Sequence, residues 1–156
     1  HASGSIKALE RSMQALGSLI EGHGNLQIIQ VVAHRSSVRY GGTSKATISW
    51  DILAPPPHLQ RFECSPHSPI IFYGIPRWME QLRNLCILKI AVSELLIYDV
   101  SILGGLPALS ALSLYVEKAP YDKIIFDKAG FSVVKYFKLK FSSGIAWLKI
   151  KADAMP

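Results

Sequence analysis

An apolar residue, two variable residues, a second apolar residue, one variable residue and a third apolar residue: this pattern returns five times and constrains the fold more than any other feature. It reads Leu26-Gln-Ile-Ile29-Gln-Val31, Leu59-Gln-Arg-Phe62-Glu-Cys64, Leu85-Cys-Ile-Leu88-Lys-Ile90, Leu109-Ser-Ala-Leu112-Ser-Leu114 and Val134-Lys-Tyr-Phe137-Lys-Leu139. Its first positions lie 33, 26, 24 and 25 residues apart. Residues two apart on a strand share a face. The second and third apolar positions of each unit therefore point one way, and the residue between them points the other way. One such strand cannot bury its apolar side alone. Strands stacked in parallel, one per unit, make a continuous core that the returning segments cover.

Three of the four intervals fall within the 20–29 residue period of leucine-rich repeats. The expected fold is an α/β leucine-rich-repeat solenoid, with a curved parallel β-sheet on the concave face and short helices and loops on the convex face. The alternative is an ordinary α/β domain with similar strands. Strands are expected near 27–32, 60–65, 86–91, 110–115 and 134–140. The core column should hold Ile29, Phe62, Leu88, Leu112 and Phe137, with Val31, Cys64, Ile90, Leu114 and Leu139 beside it. Residues 1–156 read as one repeat segment of about five units. The chain begins at His1 and stops at Met155-Pro156, where a sixth strand would be expected, so a longer parent chain is anticipated.

Between the strands the signals are local. Leu9, Met13, Leu16 and Ile20 fall on one face of a helix over 5–20, which Gly22-His-Gly-Asn25 ends. Residues 35–50 form an irregular insertion that accounts for the long first interval. Val38, Tyr40, Ile48 and Trp50 around Gly41-Gly42 fit either a small hairpin or an ordered loop. Ile75–Leu82 reads as a short helix opened by Pro76, and Asp99–Leu103 as another closed by Gly104-Gly105. Ile145–Ile150 reads as a further short strand. Many such repeats place Asn three residues after the third apolar position. Here those positions are His34, His67, Ser93, Glu117 and Ser142, so the array should be irregular.

The net charge is +6, spread as 7 basic and 4 acidic groups in residues 1–78 and 10 and 7 in residues 79–156. No basic helix, zinc-finger spacing or RNA-binding aromatic motif accompanies it, so a nucleic-acid partner is not expected. The sequence holds no apolar run long enough to span a bilayer. Cys64 and Cys86 lie out of register and no Asn-x-Ser/Thr sequon occurs, which fits a reducing, intracellular setting. Gly41-Gly-Thr-Ser-Lys45 lacks the spacing of a phosphate loop. His58, Cys64 and His67 lack the second pair of a zinc site. No catalytic motif is present.

At the level of whole phrases the chain resembles the leucine-rich-repeat domain of grass disease resistance proteins, the intracellular coiled-coil type with a nucleotide-binding domain. The phrases are Trp50-Asp-Ile-Leu-Ala-Pro-Pro-Pro-His-Leu-Gln-Arg-Phe62, Ile75-Pro-Arg-Trp-Met79, Gln81-Leu-Arg-Asn-Leu85, Asp99-Val-Ser-Ile-Leu-Gly-Gly-Leu-Pro-Ala-Leu109, Gly130-Phe-Ser-Val-Val134 and the closing Ala154-Met-Pro156. The resemblance implies a non-enzymatic role in sensing a pathogen effector or a guarded host protein, and in autoinhibition against the receptor's own nucleotide-binding domain. It implies no cofactor in this segment, with ADP or ATP bound only by that domain in a full-length parent. A generic repeat adaptor, such as a ubiquitin-ligase substrate receptor, is the alternative. The expected protein-binding residues project from the concave face: Arg61, Glu63, Lys89, Tyr115, Tyr136, Lys138 and Lys140. Lysines on strands also discourage edge pairing, so this pattern alone does not assign recognition.

Overall fold

Each repeat pattern lays down a strand whose alternate residues are buried, and the strands stack side by side in chain order. The computed structural model describes residues 2–32, 46–65, 68, 70–118, 130–141 and 147–151. Its elements are α1 (Ala2–Glu21), β1 (Ile28–Val31), β2 (Ala46–Ile48), β3 (Arg61–Cys64), β4 (Ile70–Phe72), a 3-10 turn (Arg77–Gln81), β5 (Ile87–Val92), α2 (Ile97–Gly104), β6 (Ala111–Val116), β7 (Tyr136–Phe141) and β8 (Trp147–Lys151). The five repeat strands run in the order β1-β3-β5-β6-β7, all parallel. Ile29 pairs with Phe62, Phe62 with Leu88, Leu88 with Leu112 and Leu112 with Phe137. That is the expected core column. Phe62, Leu88, Leu112, Phe137, Cys64, Ile90, Leu114 and Leu139 are buried, and Ile29 and Val31 pack half-buried against them. At about 25 cal/mol per Å² of apolar surface, this shared column dominates what holds neighbouring units together.

The sheet departs from a plain repeat in two places. Beside β5, the chain takes nine residues from Glu63 to Phe72 to match the three from Lys89 to Val92. Beside that line it takes seventeen residues from Val31 to Ile48 to match the eight from Cys64 to Phe72. The first line stops after Cys64 and resumes as β4, beside which β2 pairs in parallel. Ser68 bridges the gap: its N–H donates to Ser65 O at 2.9 Å and its Oγ accepts from Ile70 N at 3.3 Å. The irregular segment 35–50 thus ends in a strand over 46–48. The hairpin-or-loop alternative, like Gly41–Lys45, lies outside the described residues.

The other departure is β8. It pairs antiparallel with β7, from Tyr136 opposite Lys151 to Lys140 opposite Trp147. A repeat would add a parallel strand here. Instead the backbone folds back over the edge of β7.

Trp50 ties the interrupted units together. Its ring stacks on Phe72 (centroids 6.1 Å, 9° between planes) and meets Trp78 edge-on at 5.7 Å. Phe62 closes the group at 6.0 Å from Trp50 and 6.2 Å from Trp78. Both indoles are satisfied: Trp78 Nε1 donates to Trp50 O at 2.9 Å, and Trp50 Nε1 donates to Met13 O at 2.8 Å. The second bond docks α1 on the core by the expected face, with Leu9, Met13 and Ile20 against it and Leu16 at its exposed margin. Met13, Gly17 and Ile20 are buried, whereas Leu16 is 44% exposed. A Cβ on Gly17 would lie 3.2 Å from Trp50 Nε1, so the indole occupies the space a side chain would fill. Gly17→Leu should therefore cost about 1–3 kcal/mol through overpacking, and Leu16→Ser less than about 1 kcal/mol. Urea midpoints of the two variants check this ordering.

The phrases that carried the family resemblance supply the contacts between units. Asp99 in α2 is buried and accepts from Leu96 N at 2.8 Å and from Ile75 N of the preceding unit at 3.1 Å. The first bond caps the start of α2. Gly74 leaves room for this carboxylate; a Cβ there would meet Asp99 Oδ1 at 2.9 Å. Gly104 likewise admits Phe131, whose ring would lie 3.3 Å from an added Cβ. The helix at Asp99–Leu103 is longer than expected, Ile97–Gly104, and Gly105 ends it in a right-handed rather than a left-handed conformation. Where Asn is absent, Ser93 Oγ donates to Glu117 Oε1 at 3.5 Å, joining equivalent positions of two units. His34, His67 and Ser142 fall outside the described residues. Cys64 and Cys86 are not joined by a disulfide; the first is buried and the second half-buried.

Candidate protein-binding face

The residues between the apolar positions alternate with buried ones along β3, β5, β6 and β7 and so form the face opposite the core. Backbone register places Gln30, Glu63, Lys89, Ser113 and Lys138 in one row across the five strands. A second row runs Ile28, Arg61, Ile87, Ala111 and Tyr136. A third runs Ala91, Tyr115 and Lys140. All seven expected residues therefore stand on this face. Arg61, Glu63, Tyr115 and Tyr136 are half-buried there, and Lys89, Lys138 and Lys140 are exposed.

They do not form one patch. Glu63 gathers the groups of the first three strands. Gln30 Nε2 donates to Glu63 Oε2 at 3.0 Å, while Lys89 Nζ and Arg61 Nε lie 3.7 and 4.0 Å from Glu63 Oε1. The Glu63 side chain is 19% exposed, against 42% for Arg61 and 54% for Lys89. One carboxylate thus serves two cations and an amide, which leaves a net charge of +1 on this group of four residues. Exposed pairs of this kind are worth at most about 1 kcal/mol each, so their effect is on charge pattern more than on stability. Tyr115, Tyr136, Lys138 and Lys140 occupy the opposite end, on β6 and β7. Among the described residues no ion pair reaches Lys138 or Lys140.

Two features of this face were not evident from sequence. The half-buried Ile87 and the exposed Ile28 give the second row an apolar stretch. Strand spacing alone could have placed them. The reversal of β8 sets Lys149 opposite Lys138 and Lys151 opposite Tyr136 in the backbone register. The direction of β8 has no comparable sequence signal.

A second exposed surface lies on the flank. Arg77 stacks 5.0 Å above the Tyr98 ring, with exposed Tyr73, Leu96 and Ile97 nearby in sequence. A cleft of about 250 Å³ opens beside it between residues 48–51 and 72–77. Among the described residues no group of three or more His, Cys, Asp or Glu is placed to hold a metal. No helix among them is long and apolar enough to cross a membrane.

A family model for the leucine-rich repeat region matches residues 5–156, which include all five in-register repeat strands. The chain belongs to the leucine-rich repeat region family. The repeat region is 46% identical over 110 residues to the disease resistance protein RGA5 of rice (Oryza sativa subsp. japonica). That match takes in 70% of the chain and 10% of the rice protein, so the chain spans only about a tenth of this relative's length. No solved structure matches the repeat region. The resemblance to the repeat domain of plant disease resistance proteins therefore holds, and the parallel, in-register sheet is the leucine-rich-repeat fold expected of it.

Proposed function

We propose that this repeat region serves as the protein-binding and regulatory part of an intracellular plant immune receptor. In this reading it contributes to recognition of a pathogen effector or a guarded host protein. It also contributes to autoinhibition by contact with the receptor's own nucleotide-binding domain. The similarity to a rice disease resistance protein carries the reading and favours it over a ubiquitin-ligase adaptor. The repeat region itself binds rather than catalyses and needs no cofactor; ADP or ATP belongs to the nucleotide-binding domain of the parent receptor.

The outer face of β6 and β7 supports the choice of surface. Tyr115 and Tyr136 offer large contact area at low entropic cost, and Lys138 and Lys140 stand exposed beside them. Replacing Tyr115, Tyr136, Lys138 and Lys140 together in the full-length receptor should alter resting activity, the response to its elicitor, or both. Cell-death or reporter assays read the response, and immunoblotting establishes that the variant accumulates. An abundant variant with both activities unchanged removes this surface from the proposal.

A further inference from the structure

The charge of the outer face is divided by position. Toward β1, Glu63 is held by Gln30, Arg61 and Lys89, and a carboxylate arriving there would compete with Glu63 and be repelled by it. Toward β7 the positive charge of the face, on exposed Lys138 and Lys140, has no carboxylate beside it on its own strand. Residues 130–151 contain Lys135, Lys138, Lys140, Lys149 and Lys151 and no Asp or Glu. Ser113 stands in register between Lys89 and Lys138, which places a hydroxyl between two lysine positions.

We propose that the β6–β7 half of this face docks an extended acidic polypeptide segment, and that Glu63 is the specificity-determining residue that stops its footprint at β5. Lys138 and Lys140 are the principal cations. They alternate on one strand face, about 6.8 Å apart at the usual rise. Carboxylates at alternate positions of an extended chain have the same spacing. Tyr115 lies beside Lys140 in register and Tyr136 two residues before Lys138, so each lysine has an aromatic neighbour with a hydroxyl. A carboxylate partner fits better than a phosphate backbone. Phosphate recognition favours the bidentate fork of arginine, and the arginine of this face, Arg61, is engaged by Glu63. The inference rests on reading the region as a protein-binding one, and it specifies the chemistry of the partner.

The test uses the full chain fused to a soluble carrier and a fluorescent peptide of alternating glutamate and serine, read by anisotropy at low salt. The carrier alone is the blank. Binding should weaken with added salt, and a lysine–serine peptide should not bind. The double variant Lys138→Gln/Lys140→Gln should weaken binding about tenfold, a fold-change expected from losing two exposed charge contacts. Glu63→Gln should tighten it about threefold, because Arg61 and Lys89 are released to the ligand. Glu63→Thr replaces it if circular dichroism shows that the first variant does not fold. The proposal is overturned if folded Glu63 variants bind no more tightly, or if the lysine variant binds as wild type. It is also overturned if a single-stranded oligonucleotide or phosphatidylserine vesicles bind at least as tightly with the same lysine dependence. Failure of the wild-type chain to bind the peptide removes the acidic partner. It leaves the immune-receptor reading to be decided by the elicitor assay.

Discussion

Trp50→Ala is expected to lower the unfolding free energy of the chain by about 3–5 kcal/mol, the range for emptying a buried tryptophan site. Several losses coincide there. The ring stacked on Phe72 disappears, together with the edge contact to Trp78 and the tilted contact to Phe62. The indole bond to Met13 O, which docks α1, is broken. The segment 46–52 returns from the longer insertion, so this residue anchors both the resumed strand β2 and the helix beside it. Trp50→Phe separates the contributions. It keeps most of the apolar contact and removes the N–H, and should cost about 1–2 kcal/mol. Denaturant titrations of wild type and both variants, followed by far-UV circular dichroism, measure this. A Trp50→Ala loss below about 1 kcal/mol would show that the aromatic group does not hold the interrupted units together.

The second large effect is expected at Asp99. Asp99→Ala leaves Leu96 N and Ile75 N without their acceptor, at about 1–3 kcal/mol for each donor left unpaired, so a loss of about 2–6 kcal/mol is predicted. Asp99→Asn retains one acceptor oxygen and should lose less. The two variants also separate charge from hydrogen bonding. Burial raises the Asp99 carboxyl above 3.8, against the opposing influence of the Leu96 and Ile75 amides and of Arg77. A carboxyl with a raised folded-state pKa binds its proton more tightly when folded. Its stabilising contribution is therefore complete below the unfolded value of 3.8 and is lost as pH rises through the higher folded value. The stability of wild type minus that of Asp99→Asn should fall as pH rises through that window. Denaturant midpoints at several pH values read the trend, and a difference that rises with pH would contradict the burial argument.

Asp99, Gly104, Phe131, Trp50 and Trp78 all lie in phrases that pointed to the family before any fold was drawn, and Gly74 stands immediately before one of them. Their common property is contact between successive units. A repeat can vary its surface, but the fit between one unit's glycine and the next unit's carboxylate or ring is difficult to vary one residue at a time. That fit explains why whole phrases, more than the spaced leucines, carried the resemblance.

The sheet and its columns were legible because side chains on a strand alternate with a period of two. With one side buried, the apolar pattern sets which residues face the core and which neighbours align. Phe62, Leu88, Leu112 and Phe137 took their places on that rule, and the same rule put Glu63, Lys89, Ser113 and Lys138 in a row on the other face. The sequence by itself thus determined the family, the parallel stack and the residues of the candidate face. Three things were decided only by the tertiary structure. β2 and β4 are three-residue strands with no alternation to reveal them, and their pairing exists only because β5 presents an unfilled edge beside Phe72. The place of Gly17 in the buried face of α1 was not legible, because glycine carries no hydrophobic signal and matters here only through Trp50, which fills the space it leaves. The charge pattern of the outer face turned on Glu63 lying within reach of Arg61 on its own strand and Lys89 on the next. Each of these depends on a distance between side chains, and pattern along a sequence encodes which face and row a residue takes, not whether its side chain reaches the group beside it.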